Sequence, residues 1–191
     1  MRKLHGKGTD RVLAFLFGLL NILLIFLFAI SDDFLHWAFT RHQNQWSWYI
    51  RPFFLIPFCF SAYRHSFAGM LASVFLLFTS MFWFPEPDNI DPDVRMFLQF
   101  EINWLKSPWG AGKIFSLFLI PLSFTMLAVA FWKRSFPFGL AVLAFMALGK
   151  IAWSVWEGGS FGKSVIVPAT AGLVVTSLLI YYAWRRVNSN G

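Results

Sequence analysis

The stretch LGKIAWSVWEGG, residues 148–159, sets polar side chains at the spacing of one helical face. Lys150, Ser154 and Glu157 follow one another at intervals of four and three residues, and Trp153 lies one turn from Lys150. Residues three and four apart share one side of an α-helix. Because an ammonium beside a hydroxyl and an indole ring suits an anion, we interpret these four residues as a candidate ligand-binding set.

A second group of residues has metal-ligand chemistry. Asp32, Asp33 and His36 are close in sequence, and His42 follows them. Asp33 and His36 are three residues apart and could share a helical face, but two ligands do not define a coordination geometry. We predict a solvated loop here and no metal or other cofactor, and a metal at Asp32, Asp33 and His36 stays open as the alternative.

Motifs for nucleotide binding and catalysis are incomplete. The heptapeptide GGSFGKS at 158–164 is similar to a phosphate-binding loop, but Glu157 stands where that motif needs a glycine and no strand precedes it. There is no serine in a nucleophile elbow, no twin-histidine helix and no acidic pair inside an apolar run. The sequence therefore favours a protein that is not an enzyme, without deciding the question.

The composition is that of a membrane protein. The 191 residues are 58% hydrophobic, 20% aromatic and only 13% charged, whereas soluble domains carry about 25% charged residues. The net charge of +7 is not arranged as a basic stripe in a polar segment, so nucleic acid is not an expected partner. The only cysteine, Cys59, excludes an intrachain disulfide. We predict a single polytopic membrane domain over residues 1–191.

Six apolar runs approach the roughly 20 residues that a helix needs to cross a bilayer. They cover residues 12–30, 46–63, 67–84, 114–132, 136–156 and 165–184. The second run is the least regular, because it contains Arg51 and Pro57. The predicted fold is an all-α bundle of six transmembrane helices.

The basic residues outside these runs give an orientation. With six spans, all of the following fall on one side: Arg2, Lys3, Lys7, Arg11, Arg64, Lys133, Arg134, Arg185 and Arg186. Short cytoplasmic segments are enriched in lysine and arginine. We therefore predict a multi-pass protein of the bacterial inner (plasma) membrane with both termini in the cytoplasm.

The longest connection, residues 85–113, lies on the outer side in this topology. Within it Asp91 suits a helix N-cap, Pro92 the first helical position and Asp93 the first turn. Apolar residues then recur at helical spacing, at Val94, Phe97, Leu98, Ile102 and Leu105. The pattern predicts a short amphipathic helix between the third and fourth spans. Glu101 falls inside the apolar stripe, so we expect it either to face a polar or cationic partner in the bundle or to bend out to water near the interface.

Lys150 lies deep in the fifth predicted span, about 21 Å from its cytoplasmic start and about 9 Å from its outer end. Its side chain leans toward the helix N-terminus, away from the nearer interface. We expect its ammonium to face the bundle and to meet a carboxylate such as Glu101, backbone carbonyls near Pro168 or a bound anion. Arg51, by contrast, is expected to lean toward outer water as an anchor.

Two functions fit these patterns. In the first, the protein binds or translocates a small anionic or amphipathic ligand through an outward-facing cavity, with Lys150, Trp153, Ser154, Glu157 and Glu101 as ligand-binding residues. In the second, it is a non-catalytic accessory or assembly subunit whose charges pair with a partner membrane protein or with a second copy. The first predicts an internal polar cavity, and the second predicts a packed interior with a polar patch facing lipid. The bilayer is a partner in both, and the ligand and oligomeric state stay open.

Overall fold

The computed structural model describes the backbone of residues 2–189 and the side chains of residues 7–186, so the Arg2 and Lys3 side chains lie outside the described part. The described chain contains helices and no β-strand. Its α-helices are α1 (Arg2–Ile30), α2 (Asp32–His42), α3 (Trp46–Ile50), α4 (Leu55–Tyr63), α5 (Phe67–Thr79), α6 (Pro92–Lys106), α7 (Ala111–Trp132), α8 (Phe136–Gly158) and α9 (Ile166–Ser189). Short 3-10 turns occur at Arg51–Phe54, Ser80–Phe82 and Phe161–Val165.

Four helical segments are long and apolar enough to cross a membrane. They are Lys7–Ile30, Ala111–Trp132, Phe136–Gly158 and Phe161–Arg186. They coincide with the first, fourth, fifth and sixth runs predicted from the sequence. An all-helical membrane protein is therefore supported, with four spans by length and composition where the sequence predicts six.

The other two predicted runs form shorter helices. Residues 46–63 are divided into α3, the 3-10 turn Arg51–Phe54 and α4, with Pro52 in the turn and Pro57 in α4. Proline cannot donate a backbone hydrogen bond, which weakens a continuous α-helix. The third predicted run, residues 67–84, contains the 16-residue apolar segment Phe67–Phe82, and its α-helix has only 13 residues. At 1.5 Å per residue that helix is about 20 Å long, shorter than the roughly 30 Å hydrocarbon core.

The ends of several helices meet at one end of the bundle. Ser66 donates to the Asp10 carboxylate at 2.5 Å, which joins the start of α5 to α1. His65 stacks on Trp132 at 4.3 Å between ring centroids, and Phe136 stacks on Trp184 at 4.8 Å. We call this the basic end, because the following residues lie at it or next to it: Lys7, Arg11, Arg64, Lys133, Arg134, Arg185 and Arg186.

Helix α6 lies at the opposite end and forms as its sequence predicts. The Asp91 carboxylate accepts from the Asp93 backbone N–H at 2.9 Å, and Pro92 occupies the first helical position. Val94, Phe97, Leu98 and Ile102 are buried, whereas Arg95, Gln99 and Asn103 are exposed. The predicted burial pattern is present at these residues, whereas Leu105, the last residue of the predicted apolar stripe, is exposed.

Two apolar clusters hold the bundle together. One surrounds Leu127, Val142 and Phe58 and joins α4, α7, α8 and α9. The other lies beneath α6 around Phe97, Leu98 and residues of α2, α3 and the 3-10 turn Phe161–Val165. The second cluster, called the α6 cluster below, surrounds the polar residues of the candidate site.

Candidate ligand site

Lys150 and Glu101 meet across the contact between α8 and α6. The Lys150 Nζ atom lies 2.6 Å from Glu101 Oε1, close enough for an ion pair with a charge-assisted hydrogen bond. The lysine side chain is 45% exposed and the glutamate side chain 16%. Glu101, in the apolar stripe of α6, therefore pairs with Lys150, the cation within the apolar helix α8. A carboxylate was one of the partners expected for Lys150, and a cation was one expected for Glu101.

Aromatic rings lie beside the Lys150 ammonium. It lies 4.7 Å from the centroid of the Trp153 ring and 5.3 Å from that of Phe97. Trp104 packs edge-on against Trp153, with the ring centroids 5.2 Å apart. A cation near a ring face is attracted by the ring quadrupole. The rings therefore stabilise the ammonium without neutralising it.

The other two predicted ligand-binding residues are placed differently. Ser154 is completely buried, and its backbone packs closely against Gly162. Glu157 is exposed, and no ion pair to it is found among residues 7–186. The structure thus brings together Lys150, Trp153 and Glu101, with Ser154 buried on the neighbouring turn and Glu157 at the surface.

A histidine and an arginine extend the polar cluster beneath α6. His42 Nδ1 lies 2.7 Å from Ser47 Oγ, and Ser47 itself donates to the Asn44 carbonyl oxygen at 2.7 Å. Since the serine hydrogen is used on that carbonyl, the oxygen accepts from His42 Nδ1–H. His42 Nε2 then carries a lone pair and accepts from Arg51 Nη1 at 3.2 Å. This hydrogen-bond order requires a neutral imidazole.

The electrostatic surroundings of His42 favour the same neutral form. Burial, and then the positive charges of Arg51 and Lys150, hold the pKa of His42 well below its ordinary value of 6.5. Glu101 is paired directly with Lys150, whereas Arg51 is hydrogen-bonded to the neutral His42. Within the described residues, Arg51 therefore has no carboxylate partner of its own.

Several hydrogen-bond donors in this region have no acceptor. Arg51 Nε, Trp153 Nε1 and Ser154 Oγ are buried and have no hydrogen-bond partner in the described part of the chain. A buried donor without an acceptor costs about 1–3 kcal/mol. A site with two cations, one carboxylate and spare donors lacks acceptors, which is the chemistry that an anion supplies.

Lys150 is reached from the side of the bundle. Its neighbour Gly149 is exposed, and a methyl group on the Gly149 Cα would meet no atom of the surrounding helices within 4 Å. A separate open groove of about 610 Å³ lies near the basic end, lined by Thr9, Asp10, Leu13, Phe17, Ser66, Ala68, Gly69 and Ala72. The groove and the Lys150 site are therefore different features.

Asp32 and His36, two of the residues considered for a metal site, lie in helix α2 and not in the predicted loop, and both contact a lysine. Lys106 Nζ lies 2.9 Å from Asp32 Oδ1 and 3.4 Å from His36 Nε2, so an ammonium occupies the position between them. Within the described residues, no group of three or more His, Cys, Asp or Glu side chains could hold a metal ion. The lysine contacts tie α2 to the end of α6.

Sequence reasoning missed Arg51 and His42 as parts of the site. Arg51 was expected to reach outer water, but its Nη1 is bound to His42 and its Nε is buried. The sequence offered two signals: Arg51 is a second cation inside an apolar run, and His42 and Ser47 are five residues apart. Lys113 was also missed: it is buried, and its Nζ donates to the Leu105 and Ser107 carbonyl oxygens at 2.7 Å each.

Comparisons of this chain with protein-family models, with curated proteins and with solved structures found no match. The class of protein that the fold defines is an all-helical membrane protein with four candidate spans. The function is therefore argued from the chemistry of the site.

Proposed function

We propose that this protein is a multi-pass protein of the bacterial inner membrane that binds an anionic ligand at Lys150. The observation that carries the proposal is the imbalance beneath α6: Glu101 pairs with Lys150, Arg51 has no carboxylate within ion-pair distance among the described residues, and three buried donors lack acceptors. Burying unbalanced charge is costly, and such a charge inside a membrane-length helix is a common mark of a functional site. A bound anion would supply both the charge and the acceptors.

Ligand retention tests this proposal. We expect native mass spectrometry of the protein, extracted in a mild neutral detergent, to show an anionic adduct on the wild type. Lys150→Met keeps the length of the side chain and removes its charge, and should lose that adduct by about tenfold, since a charge-assisted hydrogen bond contributes about 1.5–3 kcal/mol.

The matched control is Lys106→Met. Lys106 is also paired with a carboxylate and has a similar exposure, 38% against 45% for Lys150. It should keep the adduct. Wild-type protein without an adduct, or equal loss in both variants, would contradict ligand binding and favour the accessory-subunit alternative, in which Lys150 and Glu101 only hold α8 against α6.

The proposed topology has six spans, with residues 46–63 and 67–84 as the second and third. Two observations support it. The turn at Arg64 lies at the basic end, beside Asp10 and Trp132, and most acidic residues lie toward the other end, at Asp32, Asp33, Glu86, Asp88, Asp91, Asp93, Glu101 and Glu157. The positive-inside rule then assigns the basic end and both termini to the cytoplasm, and α6 to the outer side.

Cysteine labelling distinguishes six spans from four. In a four-span protein residues 31–110 would all lie on one side, so cysteines at positions 64 and 95 would react alike. With six spans, Arg95→Cys should react with a membrane-impermeant maleimide in intact cells, and Arg64→Cys only after permeabilisation. Both positions are exposed, and the native Cys59 is buried, which keeps the background low. Labelling of both in intact cells would contradict the six-span topology.

A further inference from the structure

We infer that the ligand is an amphiphile with an anionic head, and that this head replaces Glu101 as the partner of the Lys150 ammonium. The inference rests on the proposed ligand binding and adds the class of ligand and the role of Glu101. It follows from three observations: the charges beneath α6, the exposed side of Lys150, and the ion pair between Lys150 and Glu101.

The charges beneath α6 call for an anionic head group. Arg51, Lys150 and the buried Lys113 are cations, Glu101 is the carboxylate paired with Lys150, and the hydrogen-bond order makes His42 neutral. Positive charge is therefore in excess, and an anionic head group offsets it whereas a neutral one does not. Offsetting an unbalanced charge lowers the cost of keeping it at a membrane-embedded site.

The open side of the site gives the apolar part of the ligand. Lys150 lies on a helix of membrane length, about 12 Å before that helix ends at Gly158. Met146 and Ala147 precede it by about one turn, on the same helical side, and both are only partly buried. A ligand with its head at Lys150 can therefore lay a hydrocarbon chain along α8 toward the middle of the bilayer. A small water-soluble anion would leave this apolar surface unused.

Glu101 occupies the place of the anionic head. Its Oε1 atom is the carboxylate oxygen found at Lys150 Nζ, at 2.6 Å. The lysine is the more exposed of the two partners, with 45% of its side chain exposed against 16% for the glutamate, so an incoming anion can reach the ammonium without unpacking α6. A ligand must compete with the Glu101 carboxylate for Lys150. The apparent affinity of the protein for the ligand is then proportional to the fraction of molecules in which Lys150 is not paired with Glu101.

Removing the internal competitor should therefore tighten binding. We expect Glu101→Gln to bind phosphatidylglycerol, a lipid with one negative charge, about tenfold more tightly than the wild type does, if the pair is closed in about nine of ten molecules. Lys150→Met should bind it about tenfold more weakly. The measurement is a titration of delipidated protein followed by native mass spectrometry.

Controls separate this inference from the proposed function. Asp32→Asn removes the carboxylate of the Lys106 pair and should leave the affinity for phosphatidylglycerol unchanged. Phosphatidylcholine, which has no net charge, should bind all variants alike and more weakly. If Glu101→Gln fails to fold, Glu101→Asp retracts the carboxylate by one methylene group and should also tighten binding.

Each outcome has a distinct meaning. Weaker binding by Lys150→Met with no gain from Glu101→Gln or Glu101→Asp would overturn the competition by Glu101 and leave ligand binding intact. If the wild type binds a short-chain carboxylate such as butyrate as tightly as it binds phosphatidylglycerol, the inference that the ligand is an amphiphile is wrong. Equal affinity of all variants for phosphatidylglycerol would overturn both the inference and the proposed function.

Discussion

Replacing Gly162 by alanine is expected to lower the free energy of unfolding by about 3 kcal/mol. Gly162 lies in the 3-10 turn Phe161–Val165 and faces α8, where a methyl group on its Cα would overlap the backbone carbonyl oxygen of Ser154. Backbone cannot rotate away as a side chain can, so α8 and the turn would have to move apart. Chemical or thermal unfolding in detergent micelles measures the loss.

Gly149→Ala is the matched control for this substitution. Gly149 lies in α8 as well, and a Cβ there would meet no atom of the surrounding helices within 4 Å. Alanine is favoured over glycine in a helix by up to about 1 kcal/mol, so this variant should be as stable as the wild type or more stable. Similar losses in both variants would mean that the close contact between α8 and the turn is not what makes Gly162 necessary.

The sequence predicts much of the helical architecture, because long apolar runs have few alternatives in a bilayer. The four segments with membrane length coincide with predicted runs. The prediction was less accurate where local chemistry shortens a helix. Pro52 and Pro57 interrupt residues 46–63, and the Ser80 hydroxyl donates to the Leu77 carbonyl oxygen where α5 gives way to a 3-10 turn. Apolar length alone does not report such interruptions.

In the candidate site, too, some residues could be predicted from the sequence and others could not. Lys150 and Glu101 each break an apolar pattern on their own helix, so the sequence marks both and their pairing could be expected. Arg51 also interrupts an apolar run, but no spacing in the sequence pairs it with His42, since one lies in a 3-10 turn and the other at the end of α2. Their contact depends on how α2, α3 and the turn fold back beneath α6, which is a tertiary property that no local spacing records.

His42 leads to an expected pH dependence of stability. In the unfolded chain it takes up a proton near its ordinary pKa of 6.5, whereas burial and the charges of Arg51 and Lys150 keep it neutral to lower pH in the folded chain. Below pH 6.5 the unfolded state therefore binds more protons than the folded state, and lowering the pH favours unfolding. The contribution is fully present above pH 6.5 and is lost as the pH falls through the range below it.

The expected loss approaches about 1.4 kcal/mol for each pH unit below 6.5, until the pH reaches the lowered pKa of His42 in the folded chain. Unfolding in neutral detergent between pH 5 and pH 7.5 measures it. His42→Gln should remove most of this slope, because its amide oxygen can accept from Arg51 in place of Nε2 and does not titrate. His36→Gln is the control, since His36 lies on the same helix but is exposed. A slope that survives in His42→Gln, or disappears in His36→Gln, would show that His42 is not the neutral histidine on which the charge count of the Lys150 site depends.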